Sequence, residues 1–170
     1  MSRGRIIGWA LFAAAIAALA VFGLSSTNSG SNGRRAPALP REVLSGTPTT
    51  LASLLAGAHG SPVAIVFWAS WCGPCSTEAP QIESFARSAA GHGRIIGVDW
   101  NDPEITGARG FIHRFAWSFT NLRDSEGTVG SEYGLTGLPT TFVVDGSGRI
   151  RKVLRGPQTP SSLQSALGSV

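Results

Sequence analysis

The sequence predicts an α/β domain, a mixed central sheet flanked by helices, and three observations carry the prediction. Val63 to Ala69 is an unbroken apolar run, the pattern of a strand covered on both faces at the centre of a sheet. Strand-like and helix-like segments alternate around it in the order β-α-β-α-β-β-α, behind an N-terminal addition. Asp145-Gly-Ser-Gly148 marks a hairpin between two apolar stretches, which adds an antiparallel pair to an otherwise alternating chain. With 170 residues, the chain has room for one domain of about 130 residues and an appendage. A core of that size folds without covalent staples.

The appendage is N-terminal. Met1 to Arg5 is short and positive, and Ile6 to Leu24 contains no charge. As a helix that run spans about 28 Å, close to the hydrocarbon thickness of a bilayer. Residues 1–24 therefore read as a single membrane anchor, with its charged end in the cytoplasm and the remainder outside. A cleaved signal peptide is the rival reading. Its small-x-small signal, Ala18-Leu19-Ala20, lies inside the apolar run rather than after it. A buried helix of the domain is the third. No cysteine lies near the segment, which excludes a lipoprotein anchor. Both leading readings deliver residues 36–170 to an oxidising compartment, on the membrane or secreted. Residues 25–35 are rich in Ser, Asn and Gly and read as a flexible tether.

The domain follows element by element. Ala36 to Leu44, with two prolines, reads as an edge strand or hairpin arm. Ser45 to Pro48 is a turn, and Thr50 caps a short helix over Leu51 to Leu55. After the central strand, Pro74 opens a helix that runs through Ala89 with a kink at Pro80. Ile82, Phe85, Ala86 and Ala89 are spaced to face the core. Arg94 to Trp100 is a second strand. Pro103 to Phe115 is a helix capped by Asn101 or Asp102. Thr120 to Leu122 is extended, Arg123 to Gly127 a turn, and Val129 to Tyr133 a short helix or turn. Thr140 to Asp145 and Ile150 to Leu154 form the hairpin, and Pro160 starts the last amphipathic helix.

Cys72 and Cys75, the only two cysteines, sit between the central strand and its helix. A thiol attacks a disulfide as thiolate, and the unpaired amides at a helix start favour that charge on Cys72. Cys75, one turn later, is within bridging reach. The chemistry is then attack by Cys72, a mixed disulfide, and release by Cys75. Gly73 leaves the approach open and Pro74 stiffens it. The competing readings are a static disulfide, a zinc site and transient copper(I) binding. So small a loop adds little stability. Zinc needs two further ligands, and His59, His92 and His113 are scattered. Glu78 lies one turn beyond Cys75. It is either an exposed helix glutamate or a proton acceptor that activates Cys75 for release. Pro139 enters a strand, where trans is the ordinary state and cis occurs in a few settings such as this.

Phe67-Trp-Ala-Ser-Trp-Cys-Gly-Pro-Cys75 together with Gly137-Leu-Pro-Thr-Thr-Phe142 resembles the thioredoxin superfamily. More narrowly, it is similar to the membrane-anchored, extracytoplasmic ResA/TlpA/CcmG group. Glu78, Tyr133-Gly-Leu-Thr-Gly-Leu-Pro139 and Val144-Asp-Gly-Ser-Gly-Arg149 support the narrower likeness, which covers about Ala36 to Leu167. The resemblance implies a thioredoxin fold with an N-terminal β extension and a cis peptide before Pro139. It also implies a substrate-facing backbone at Leu138, with Trp71, Gly73, Pro74 and Pro139 around the reacting sulfurs. Thioredoxins proper carry a buried aspartate where Val66 stands here, and this fits the group in which a glutamate at the Glu78 position moves the proton.

Functionally, the leading expectation is an exported thiol-disulfide reductase. By resemblance its clients are apocytochrome c disulfides or copper-site thiols, and its electrons come from a membrane thiol carrier. An oxidase that inserts disulfides is the second reading, and a copper(I)-binding assembly factor the third. A peroxidase is disfavoured because no separate peroxide-attacking cysteine exists. No metal or cofactor and no nucleic acid are expected: the formal net charge is +4, half of it supplied by Arg3 and Arg5. Arg149, Arg151, Lys152 and Arg155 read as a solvated strand face. A monomer is expected.

Overall fold

The computed structural model describes residues 33–170. No helix among the described residues is long and apolar enough to cross a membrane, and the anchor expected over residues 1–24 lies outside them. Six strands form one mixed sheet: β1 (Glu42–Ser45), β2 (Val63–Trp68), β3 (Ile95–Trp100), β4 (Asn121–Asp124), β5 (Thr140–Val144) and β6 (Ile150–Arg155). Their spatial order is β1-β4-β3-β2-β5-β6. The three inner strands β2, β3 and β4 run parallel, while β1 and the β5–β6 hairpin pair antiparallel at either side. The helices are α1 (Leu51–Gly57), α2 (Gly73–Arg87), α3 (Ile105–Arg114), α4 (Thr128–Tyr133) and α5 (Pro160–Gly168).

Every residue of β2 is buried, as an apolar run inside a two-sided sheet requires. Alternation along the strand sends Val66 and Trp68 into one layer and Ile65 and Phe67 into the other. The first layer packs under α2, α3 and α5 through Ile82, Phe85, Phe111 and Leu163. The second packs against α1, α4 and the N-terminal segment, and Phe67, Tyr133 and Phe142 meet there ring to ring at 5.1–5.5 Å.

The domain starts earlier than the tether reading places it. Ile150 N–H donates to the Arg34 carbonyl, and the Arg34 guanidinium donates to the Glu132 and Tyr133 carbonyls. Tyr133 Oη in turn donates to the Pro37 carbonyl at 2.9 Å. Residues 33–35 are thus pinned to the sheet by backbone partners that composition does not reveal.

Other boundaries moved for identifiable reasons. The strand in the first extended segment is confined to Glu42–Ser45, with Ala36 held separately by its N–H to the Gly148 carbonyl, because Pro37 and Pro40 have no N–H to donate. α1 carries the expected Thr50 cap, completed as a capping box with Ser53. α2 ends at Arg87, so Ala89 is exposed rather than core. The chain there folds back so tightly that a Cβ on Gly91 would lie 2.0 Å from the Phe85 carbonyl oxygen. β4 extends through Arg123 and Asp124, which pair with Asp99 and Trp100 where a turn was expected. α3 starts at Ile105 with Glu104 in the cap position and no side-chain cap bond. Asp102 does not cap it, because its carboxylate is occupied elsewhere.

Candidate active site

β2 ends at Trp68 and α2 begins at Gly73, so the intervening loop delivers Cys72 to the helix start. Cys72 is the N-cap residue, and its Sγ accepts the Cys75 N–H at 3.1 Å. That amide and the helix dipole both favour negative charge on this sulfur. Cys72 and Cys75 are joined as a disulfide with their Cα atoms 5.2 Å apart. The two sulfurs differ in access: Cys72 is 5% exposed and Cys75 only 1%. An incoming thiolate therefore meets Cys72 first. A Cβ added to Gly73 would meet no atom within 4 Å, so the space beside the disulfide is open. Pro74 stands in the first turn of the helix, where no N–H is required.

Around the disulfide lie the other residues singled out in the sequence. Trp71 is 54% exposed, an unusual state for a large apolar ring, and its indole N–H reaches the Asn101 carbonyl at 3.4 Å. The Leu138–Pro139 peptide is cis. Register sets Thr140 beside Phe67, which brings Leu138 and Pro139 to the end of β2, next to the loop that carries the cysteines. Leu138 is half-buried against both core layers.

Glu78 is not an exposed helix glutamate. It is 2% exposed, and its Oε1 accepts the Gln158 N–H at 2.8 Å. Burial pushes its carboxyl up from the ordinary 4.5 to about 7, against the pull of that amide. Because the folded value lies above the unfolded one, Glu78 contributes stability that is complete below about pH 4.5. That contribution is lost as pH rises through about 7. Glu78→Gln keeps an acceptor for Gln158 and cannot ionise. In the oxidised protein its stability relative to the native chain is expected to climb across this window, by roughly 3 kcal/mol, as read by urea denaturation at several pH values.

Several residues that build the site were not read as such from the sequence. Asp102 accepts both the Ser70 N–H, at 2.6 Å, and the Ser70 Oγ–H, at 2.8 Å, and so ties the cysteine loop to the loop after β3. Asp99 lies fully buried on β3 beside Arg123. The one signal available was an aspartate inside an otherwise apolar strand. Gln158, eighty residues from Glu78, offered none, since it contributes only a backbone amide. No group of three or more His, Cys, Asp or Glu side chains is placed to hold a metal ion among the described residues.

A helix-capping disulfide beside open space, a cis proline at the neighbouring strand end and this sheet order define a thioredoxin-like thiol-disulfide oxidoreductase. The comparisons agree. The chain belongs to the AhpC/TSA family, whose model matches residues 32–153. It is 37% identical over 129 residues to the thiol:disulfide interchange protein HelX of Rhodobacter capsulatus, covering 75% of this chain and 69% of that one. It is 30% identical to the thiol-disulfide oxidoreductase ResA of Geobacillus thermodenitrificans, covering 66% of this chain and 64% of ResA. Among solved structures, a thiol:disulfide interchange protein DsbE from Chlorobium tepidum superposes with a TM-score of 0.67 at 27% identity, over 81% of this chain and 93% of that chain. The partners of such a protein are thiols and disulfides of other molecules.

Proposed function

We propose that this chain is an exported, membrane-tethered reductase of protein disulfides, with Cys72 as the attacking sulfur, Cys75 as the resolving sulfur and Glu78 as the proton acceptor. The observation that carries the reading is the asymmetric pair: a Cys72 sulfur at a helix start beside open space, and a covered Cys75 one turn from a buried carboxyl. In the reduced state, the Cys72 thiolate attacks one sulfur of a client disulfide. The client S–S bond breaks, a mixed disulfide forms, and the other client sulfur leaves as a thiol after protonation. Glu78 then takes the Cys75 proton, and Cys75 attacks Cys72 Sγ. The client's second sulfur departs, two electrons have passed to the client, and the Cys72–Cys75 disulfide remains. A dithiol donor, a membrane thiol carrier on this reading, returns the electrons.

Trp71, Gly73, Pro74, Leu138 and Pro139 form the surface on which the client chain rests. Open space at Gly73 admits the client sulfur, and the exposed Trp71 ring gives it an apolar contact. Residues 1–24 hold the domain at the membrane, residues 25–32 act as tether, and the clients are exported proteins such as apocytochrome c or copper-site proteins. The names borne by HelX, ResA and DsbE support thiol-disulfide exchange as the chemistry.

Equilibration of Cys72/Cys75 with a dithiol buffer tests the direction of electron flow. A potential near that of thioredoxin, about −270 mV, is expected, and one near about −120 mV would overturn the reductase reading in favour of an oxidase. Glu78→Gln tests the proton acceptor. Resolution of the mixed disulfide is expected to slow by about 10²-fold and to lose its inflection near pH 7. Kinetics matching the native chain at every pH would remove Glu78 from the mechanism.

A further inference from the structure

β3 and β4 carry a polar cluster into the apolar layer beneath α2 and α3. Strand pairing sets Asp99 between Trp68 of β2 and Arg123 of β4. Asp99 is 0% exposed, and among the described residues no backbone, hydroxyl or guanidinium donor reaches its carboxylate oxygens, which leaves the Asp102 carboxyl as the group that can share a hydrogen bond with it. The nearest cationic atom, Arg123 Nε, is 3.8 Å from Oδ2. That guanidinium is shared: Nη1 lies 3.5 Å from the Glu42 carboxylate, and Nη2 donates to the Asp102 carbonyl at 3.2 Å. As an ion, Asp99 would keep a fraction of one cation and no hydrogen bond, an arrangement that burial penalises heavily. Asp102, itself 3% exposed, meets the same guanidinium through its carbonyl, and its carboxylate already holds Ser70. Two carboxyl groups in one buried site retain a proton between them.

We propose that Asp99 is a positioning residue for the disulfide-bearing loop, acting through Asp102 and Ser70 on Trp71 and Cys72. Protonated, Asp99 donates to Asp102, the pair carries one negative charge, and Asp102 stays seated on Ser70. Ionised, the pair carries two charges that one shared guanidinium does not neutralise, and Asp102 is repelled from its seat. Ser70 is two residues from Cys72. The loop's second tie, Trp71 Nε1 to the Asn101 carbonyl, is next to Asp102 in the chain. Loosening Asp102 therefore moves both the exposed ring and the reacting sulfur.

Burial, then the hydrogen bond and charge of Asp102, push the Asp99 carboxyl up to about 8, with Arg123 pulling it down and Asp124 adding to the rise. Those are the charged groups facing Asp99 from its own strand end and from β4, with Glu42 of β1 behind Arg123. β2 presents the Trp68 indole, whose N–H has no hydrogen-bond partner among the described residues. Glu83 of α2 is turned to Ser118 and Arg87, and Arg109, His113 and Arg114 of α3 are exposed.

The test uses the full chain in its oxidised form, where neither cysteine titrates. Its first readout does not depend on the direction of electron flow or on the role of Glu78. The Ser70 amide and the Trp71 indole ¹⁵N–¹H shifts are followed with pH. An inflection near pH 8 is expected in the native protein and in Glu78→Gln, and its loss is expected in Asp99→Asn. The second readout is reduction by dithiothreitol. The ratio of native to Asp99→Asn rates is expected to be constant at neutral pH and to shift by roughly two- to tenfold well above pH 8. An unaltered Ser70 inflection in folded Asp99→Asn, or a flat rate ratio, would overturn the proposal. Should Asp99→Asn not fold, Ser70→Ala reads the same link. Its reduction profile must depart from the native one in the same pH range, and superimposable profiles would overturn the proposal equally.

Discussion

Replacing Cys75 with serine is expected to convert a turning-over exchanger into a trap. Cys72 would still attack a client disulfide, but nothing would then attack Cys72 Sγ, so the mixed disulfide persists. Turnover with a disulfide substrate is expected to fall roughly 10³-fold or more, because the two cysteines act as a unit. Non-reducing gels should show the client covalently held. Cys72→Ser, by contrast, should capture nothing, since Cys75 is 1% exposed. The asymmetry between the two variants is the measurement. Equal capture by either would mean that the attacking sulfur has been assigned wrongly, whatever the total activity.

The second large effect is on stability. Trp68 is 1% exposed, stacks on Phe111 at 4.6 Å and meets Trp117 edge-on at 5.0 Å. Trp68→Ala is expected to cost about 3–5 kcal/mol, the range for truncating a large buried ring, and to lower the melting temperature by roughly 10–20 °C. Trp68→Phe keeps much of the ring and removes an indole N–H that has no partner among the described residues. It should cost markedly less, on the order of 1 kcal/mol. Calorimetry of the oxidised forms separates the two. Comparable losses would show that the indole N–H, and not ring volume, is what the core needs.

Legibility varied with how local the cause was. The run Val63–Phe67 announced a central strand because burial on both faces leaves no room for polar alternation, and β2 is completely buried. Thr50 and Pro160 marked helix starts through chemistry confined to one turn, and both starts stand. The first strand, the end of α2 and the start of α3 shifted because each depends on partners distant in sequence. Asp102 looked like a cap from its neighbours alone, yet Ser70, thirty-two residues away, takes both of its oxygens. Glu78 was placed beside Cys75 by helical spacing. Its burial under the Gln158 amide, and hence its raised pKa, came from the packing of residues on the far side of the sequence.

By itself the sequence determined the redox chemistry available to the chain: two cysteines at a strand-to-helix junction, an acid one turn on, and a proline at a second strand end. Such features rest on spacing within a turn or a strand, which the covalent chain imposes. Only the tertiary structure decided which groups surround that junction and what charge they carry. Asp99, Arg123 and Asp102 come together because β3 and β4 pair in one particular register beside β2. Burial then converts an ordinary carboxylate into a proton holder, a property that belongs to the solvent-free site and not to the residue.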